Sequence, residues 1–101
     1  MSDTVLYLVI PPRAEDLLTE WLLEREDVLG FTSLPVSGHG SSESSMSLAE
    51  QVAGRSRRVL FMLHLPLSIA ETLLAELAEE FRGGDVHYWL VPALKSGRLN
   101  T

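Results

Sequence analysis

Arg55, Arg57 and Arg58 crowd three of the chain's eight basic side chains into four residues. A guanidinium is a planar fork that binds carboxylate or phosphate through paired hydrogen bonds. Upstream stands Gly38-His39-Gly40. Glycine admits close backbone approach, and successive amides can form a nest for an anion. If the two stretches are the two sides of one connection, they face each other. Gly38, His39, Gly40, Arg55, Arg57 and Arg58 then form a candidate anion site. The plainer reading is a solvated basic turn with glycines that serve loop geometry. His39 is also the strongest metal candidate, for a divalent ion. A metal site needs three or four converging ligands, and His39, His64 and His87 are far apart in sequence. Glu43, Glu50, Asp85 or a second copy of the chain would have to complete it. For His64 and His87 the plainer reading is a strand or interface histidine. Ser41, Ser42, Ser44, Ser45 and Ser47 offer hydroxyls, but spacing places no general base beside them, and a loop is a poor frame for catalysis. There is no P-loop and no carboxylate pair in a plausible cleft, so no enzyme is expected.

The composition bounds the rest. A chain of 101 residues with 46% apolar side chains suits one globular domain over residues 1–101. It has no cysteine, which excludes disulfides and thiolate metal sites and suits a reducing, cytoplasmic setting. The start lacks the basic region of a signal peptide, and the apolar runs are too short to span a bilayer. The net charge of −6 argues against nucleic acid. A local positive spot on an acidic protein favours a small anion over a polyanion.

These residues need elements to position them. Residues 5–10 form a β-prone run stopped by Pro11-Pro12. Ala14, Leu17, Leu18, Trp21 and Leu22 follow helical spacing, with Gly30 past the helix end. Residues 31–36 form a second strand, and Pro35 places it at an edge or a bulge. Residues 37–47 are almost all Ser and Gly and cannot bury enough surface to order themselves. Ser47-Leu48-Ala49-Glu50 has capping-box spacing, and Gly54 closes a short helix over residues 48–53. Residues 57–65 form a third strand. Ser68-Ile69-Ala70-Glu71 is a second capping box, opening a helix with Ile69, Ala70, Leu73, Leu74, Leu77, Ala78 and Phe81 on its buried stripe. Gly83-Gly84 ends it, and residues 86–91 form the fourth strand.

The order β-α-β-β-α-β predicts an α+β, ferredoxin-like fold: a four-stranded antiparallel sheet with two helices on one face. A sheet with one wet face alternates apolar and polar residues. Here Val59, Phe61, Leu63 and Leu65 point one way, yet Leu60 and Met62 point the other, and the first strand is apolar on both parities. Two helices cannot cover both faces, so the second face is expected to pack against further subunits, in a homo-oligomer rather than on a foreign partner.

This arrangement, with a long connection over residues 38–54, resembles the PII-like signal-transduction proteins. In that group the sheets of three subunits form a core, and the loop between strands two and three, the T-loop, responds to ligand. The stretches Ser37-Gly38-His39-Gly40, Ser47-Leu48-Ala49-Glu50-Gln51-Val52-Ala53-Gly54-Arg55, Arg58-Val59-Leu60-Phe61, His87-Tyr88-Trp89 and Ser96-Gly97-Arg98-Leu99 look like an uncharacterised PII-like family often encoded beside heavy-metal efflux systems. The resemblance implies a homotrimer and an intersubunit ligand cleft at the loop base. An adenine nucleotide is the plausible ligand, and a membrane transporter is a candidate partner. An alternative is a divalent metal-binding tolerance protein similar to the CutA-like trimers. Two features depart from the best-known PII proteins. The loop holds no tyrosine, and Arg82-Gly83-Gly84-Asp85 stands where they carry a basic, glycine-rich phosphate loop.

Overall fold

The structure, a computed structural model, describes residues 3–40 and 55–99. The chain runs β1 (Asp3–Ile10), a 3-10 turn (Pro12–Ala14), α1 (Glu15–Leu23), β2 (Thr32–Gly38), β3 (Ser56–Pro66), α2 (Leu67–Glu80) and β4 (His87–Pro92). The sheet order is β2-β3-β1-β4, and all three neighbouring pairs are antiparallel. This is the ferredoxin-like α+β arrangement expected from the sequence. The short helix expected over residues 48–53 and most of the 38–54 connection lie outside the described residues.

Each element follows from local chemistry. Pro11 ends β1 because its ring fixes φ, here −65°, and it supplies no ladder donor. In α1, Leu18 and Leu22 are buried and Trp21 packs beside them. Leu17, expected on the same stripe, is 64% exposed. It lies about 100° round the helix from Leu18, beyond what a helix this short can tuck under. Pro35 lies opposite Val59 on β2, which among the described residues pairs only with β3. The edge position expected from that proline is the one found.

The capping box at Ser68 does not form. α2 starts at Leu67, and its N-cap is Pro66, with extended backbone and no side-chain cap bond. The preset φ of proline launches the helix a residue before the serine could cap it, and the Ser68 carbonyl accepts a bond from Thr72 Oγ1 at 3.1 Å. Ala70, Leu73 and Leu77 are buried along α2, while Ala78 is exposed.

The core lies between the helices and one sheet face. Leu6, Leu8 and Ile10 of β1 and Val59, Phe61, Leu63 and Leu65 of β3 meet Leu18, Leu22, Ala70, Leu73 and Leu77, all 5% exposed or less. Thr4, also buried, donates to the Leu65 carbonyl at 2.8 Å and so costs little there. The opposite face carries the alternate residues. Val5, Tyr7, Val9, Leu60 and Met62 are half-buried, and Leu34, Trp89 and Val91 are exposed. Tyr7 and Trp89 are cross-strand partners and stack with centroids 5.4 Å apart. This face is apolar and bare among the described residues, as the double parity of β1 and β3 predicted. Among the described residues no helix is long and apolar enough to cross a membrane.

Candidate functional site

The β2–β3 ladder sets the geometry of the loop base. Gly38 pairs with Ser56, Ser37 with Arg57 and Val36 with Arg58. The two stretches picked from the sequence therefore meet at Gly38 and Ser56, while Arg57 and Arg58 lie opposite Ser37 and Val36. His39 and Gly40 follow directly from β2, and Arg55 directly precedes β3; all three are exposed. Gly40 has φ +77°, a conformation that glycine adopts without strain as the chain leaves the ladder.

The arginines are not equivalent. Neighbours on a strand point to opposite faces, so Arg57 shares the helix-side parity of Val59, and Arg58 shares the bare-face parity of Leu60. Arg57 is exposed, whereas Arg58 is only 6% exposed. Both line a hollow of about 520 Å³ at the β2 edge, together with Glu15, Pro35 and Ser37.

The Arg58 guanidinium is engaged within the chain at two of its nitrogens. Its Nε donates to Ser56 Oγ at 3.1 Å, and its Nη1 donates to Asp85 Oδ2 at 2.9 Å. The other carboxylate oxygen, Oδ1, lies 3.3 Å from His87 Nε2. A buried guanidinium without a counter-charge would be costly, and Asp85 supplies the charge from 27 residues away. The hydrogen bond from Arg58 holds the Asp85 carboxyl below its ordinary value of 3.8, with the charges of Arg58 and His87 adding to it against partial burial.

The turn between α2 and β4 aims that carboxylate. Gly83 has φ +75°, and Asp85, at +56°, is the one non-glycine residue with positive φ among the described residues. Aspartate tolerates this region better than most side chains. At Gly84 a Cβ would sit 2.9 Å from the Phe81 carbonyl oxygen, the same oxygen that accepts the Gly84 N–H at 2.9 Å. Sequence reasoning weighed Asp85 as an auxiliary metal ligand and as the end of the Arg82-Gly83-Gly84-Asp85 stretch, and missed its pairing with Arg58. The available signal was Gly-Gly-Asp before β4, residue types that tolerate the left-handed φ found at Gly83 and Asp85.

The histidines stay apart. His39 follows β2, His64 sits exposed on β3 opposite Val5, and His87 rests on Asp85. Among the described residues no three His, Asp or Glu side chains gather closely enough to hold one metal ion. Glu43 and Glu50 lie outside the described residues.

The family model for DUF3240, described as a protein of unknown function, matches residues 1–100. No curated protein matches the chain. Among solved structures, a DUF3240 family protein from Shewanella baltica OS155 superposes with a TM-score of 0.80 at 21% identity, over 98% of each chain. CPII, a nitrogen regulatory PII-like protein from Thiomonas intermedia K12 bound to ADP, AMP and bicarbonate, gives 0.71 at 19% identity, over 97% of this chain and 96% of its own. The apo form of CPII gives 0.60 at 17% identity, over 92% and 95%. The fold is thus that of the PII-like proteins, and the chain belongs to the DUF3240 family.

Proposed function

We propose that the protein is a non-enzymatic, PII-like sensor that binds a small anionic ligand at the loop base and signals through the 38–54 connection. The observation that supports this reading is the pairing of Gly38 with Ser56 and of Ser37 with Arg57, which brings the glycine-containing end of β2 beside the arginine-rich start of β3 at the mouth of that connection. An adenine nucleotide is the ligand we favour, because CPII, of the same fold, is described as bound to ADP and AMP. Gly38, His39, Gly40, Arg55 and Arg57 are its proposed contacts, with Arg58 behind them.

The bare sheet face supports a homotrimer, in which the loop base of one subunit lies against its neighbour. Stacked Tyr7 and Trp89, with Val5, Leu60 and Met62, form an apolar surface that water covers at a cost. The partner we favour is a membrane transporter, on the strength of the family resemblance.

The reading is tested by light scattering followed by calorimetric titration with ADP, AMP and bicarbonate. The expected result is a trimer at micromolar concentration that takes up one of these ligands saturably. Titrations silent for all three, with the trimer intact, would sink the ligand reading. A well-folded monomer would sink the trimer.

A further inference from the structure

We infer that Asp85 is a built-in competitor for the anion site: its carboxylate holds Nη1 of the buried Arg58 guanidinium, and an anionic ligand that takes this nitrogen must displace it. This rests on the ligand reading above and adds to it a determinant of affinity.

The two partners of the ion pair are unequally placed. The Arg58 side chain is 6% exposed and that of Asp85 is 32% exposed. A buried guanidinium cannot be left without a counter-charge, since water does not replace the lost partner. A carboxylate one-third exposed can turn into solvent at modest cost. The site is therefore built for exchange of one oxyanion for another, and a neutral ligand has no means of opening it.

The competitor is also placed deliberately by the backbone. Asp85 reaches Arg58 from a turn in which Gly83 and Asp85 both take positive φ and Gly84 has no room for a side chain. Ser56 holds Nε of the same guanidinium at 3.1 Å, so Arg58 stays aimed when Asp85 leaves. Ser56 is itself the ladder partner of Gly38. Exchange at Arg58 thus links three segments in one step: the α2–β4 turn, the first residues of β3 and the mouth of the connection. The internal anion sets a threshold, because apparent affinity falls with the fraction of molecules in which Asp85 holds the site.

Asp85→Asn tests this. Asparagine keeps the shape, tolerates left-handed φ and lacks the charge. Titrations of ADP, AMP and bicarbonate into wild type, Asp85→Asn and the Arg58→Gln/Asp85→Asn double variant, at one ionic strength, should show the single variant binding about five- to tenfold tighter, on the scale of one ordinary hydrogen bond, since asparagine keeps a neutral acceptor. The double variant should lose that gain. Wild type is followed in parallel by carbon-detected NMR of the Asp85 carboxyl, so the test survives a variant that fails to fold. The Asp85 signal should move toward a free carboxylate as ligand saturates. If wild type binds while Asp85→Asn binds no tighter, or the Asp85 signal stays still at saturation, the competitor is overturned and the ligand reading stands. If neither protein binds any of the three, both are overturned.

Discussion

Replacing Trp89 by alanine should dissociate the proposed trimer while leaving each subunit folded. Trp89 is 47% exposed on the bare face, and a large aromatic side chain carries up to about 250 Å² of surface. About 120 Å² of Trp89 therefore awaits cover, or about 3 kcal/mol per subunit at 25 cal/mol/Å². If a neighbour covers only half of it, three subunits still lose about 4–5 kcal/mol, roughly a thousandfold in the dissociation constant. The lost stack on Tyr7 adds about 0.5–1.5 kcal/mol within the subunit, too little to unfold a core built from the other face. Light scattering through a dilution series gives the assembly state, and circular dichroism reports the fold. The reasoning is refuted if the variant dissociates at the same concentration as wild type, or if it loses its helices before it loses its partners.

Gly84→Ala should cost about 1–3 kcal/mol in denaturant unfolding, because its Cβ would meet the Phe81 carbonyl at 2.9 Å and the backbone must shift. A cost below half of that would show that the turn is slack. The pH dependence should carry the signature of Asp85. Its folded pKa lies below the ordinary 3.8, so the ion pair stabilises fully above that value and is lost as the pH falls through the folded one. Thermal unfolding should therefore show a stability gap between wild type and Asp85→Asn at pH 6 that closes as the pH drops below 4, and a gap that widens there would contradict the assignment.

Much of the frame was legible because it rests on periodicity. The alternation of Val59, Phe61, Leu63 and Leu65 against Leu60 and Met62 named both faces of β3, and Pro35 marked the edge. What failed was local and competitive. Ser68 had the spacing of a cap, but Pro66 had already fixed the helix entry. Leu17 matched the period, yet lay too far round α1 to be covered.

The site was legible by half. The meeting of Gly38 with Ser56 followed from reading residues 38–40 and 55–58 as the two ends of one connection. The division of Arg57 from Arg58 was present in strand parity, and grouping the arginines by proximity in sequence obscured it. The pairing of Arg58 with Asp85 spans 27 residues and depends on three backbone conformations in a turn, which neither composition nor spacing encodes.

The central claim, an anion bound at the loop base, is tested most directly by a crystal structure determined with ADP. The account predicts phosphate density against the backbone of residues 38–40 and the side chains of Arg55 and Arg57, with a neighbouring subunit closing the cleft and Asp85 turned away from Arg58. Density for ADP elsewhere on the molecule, with Asp85 still on Arg58 and the loop base empty, would contradict it.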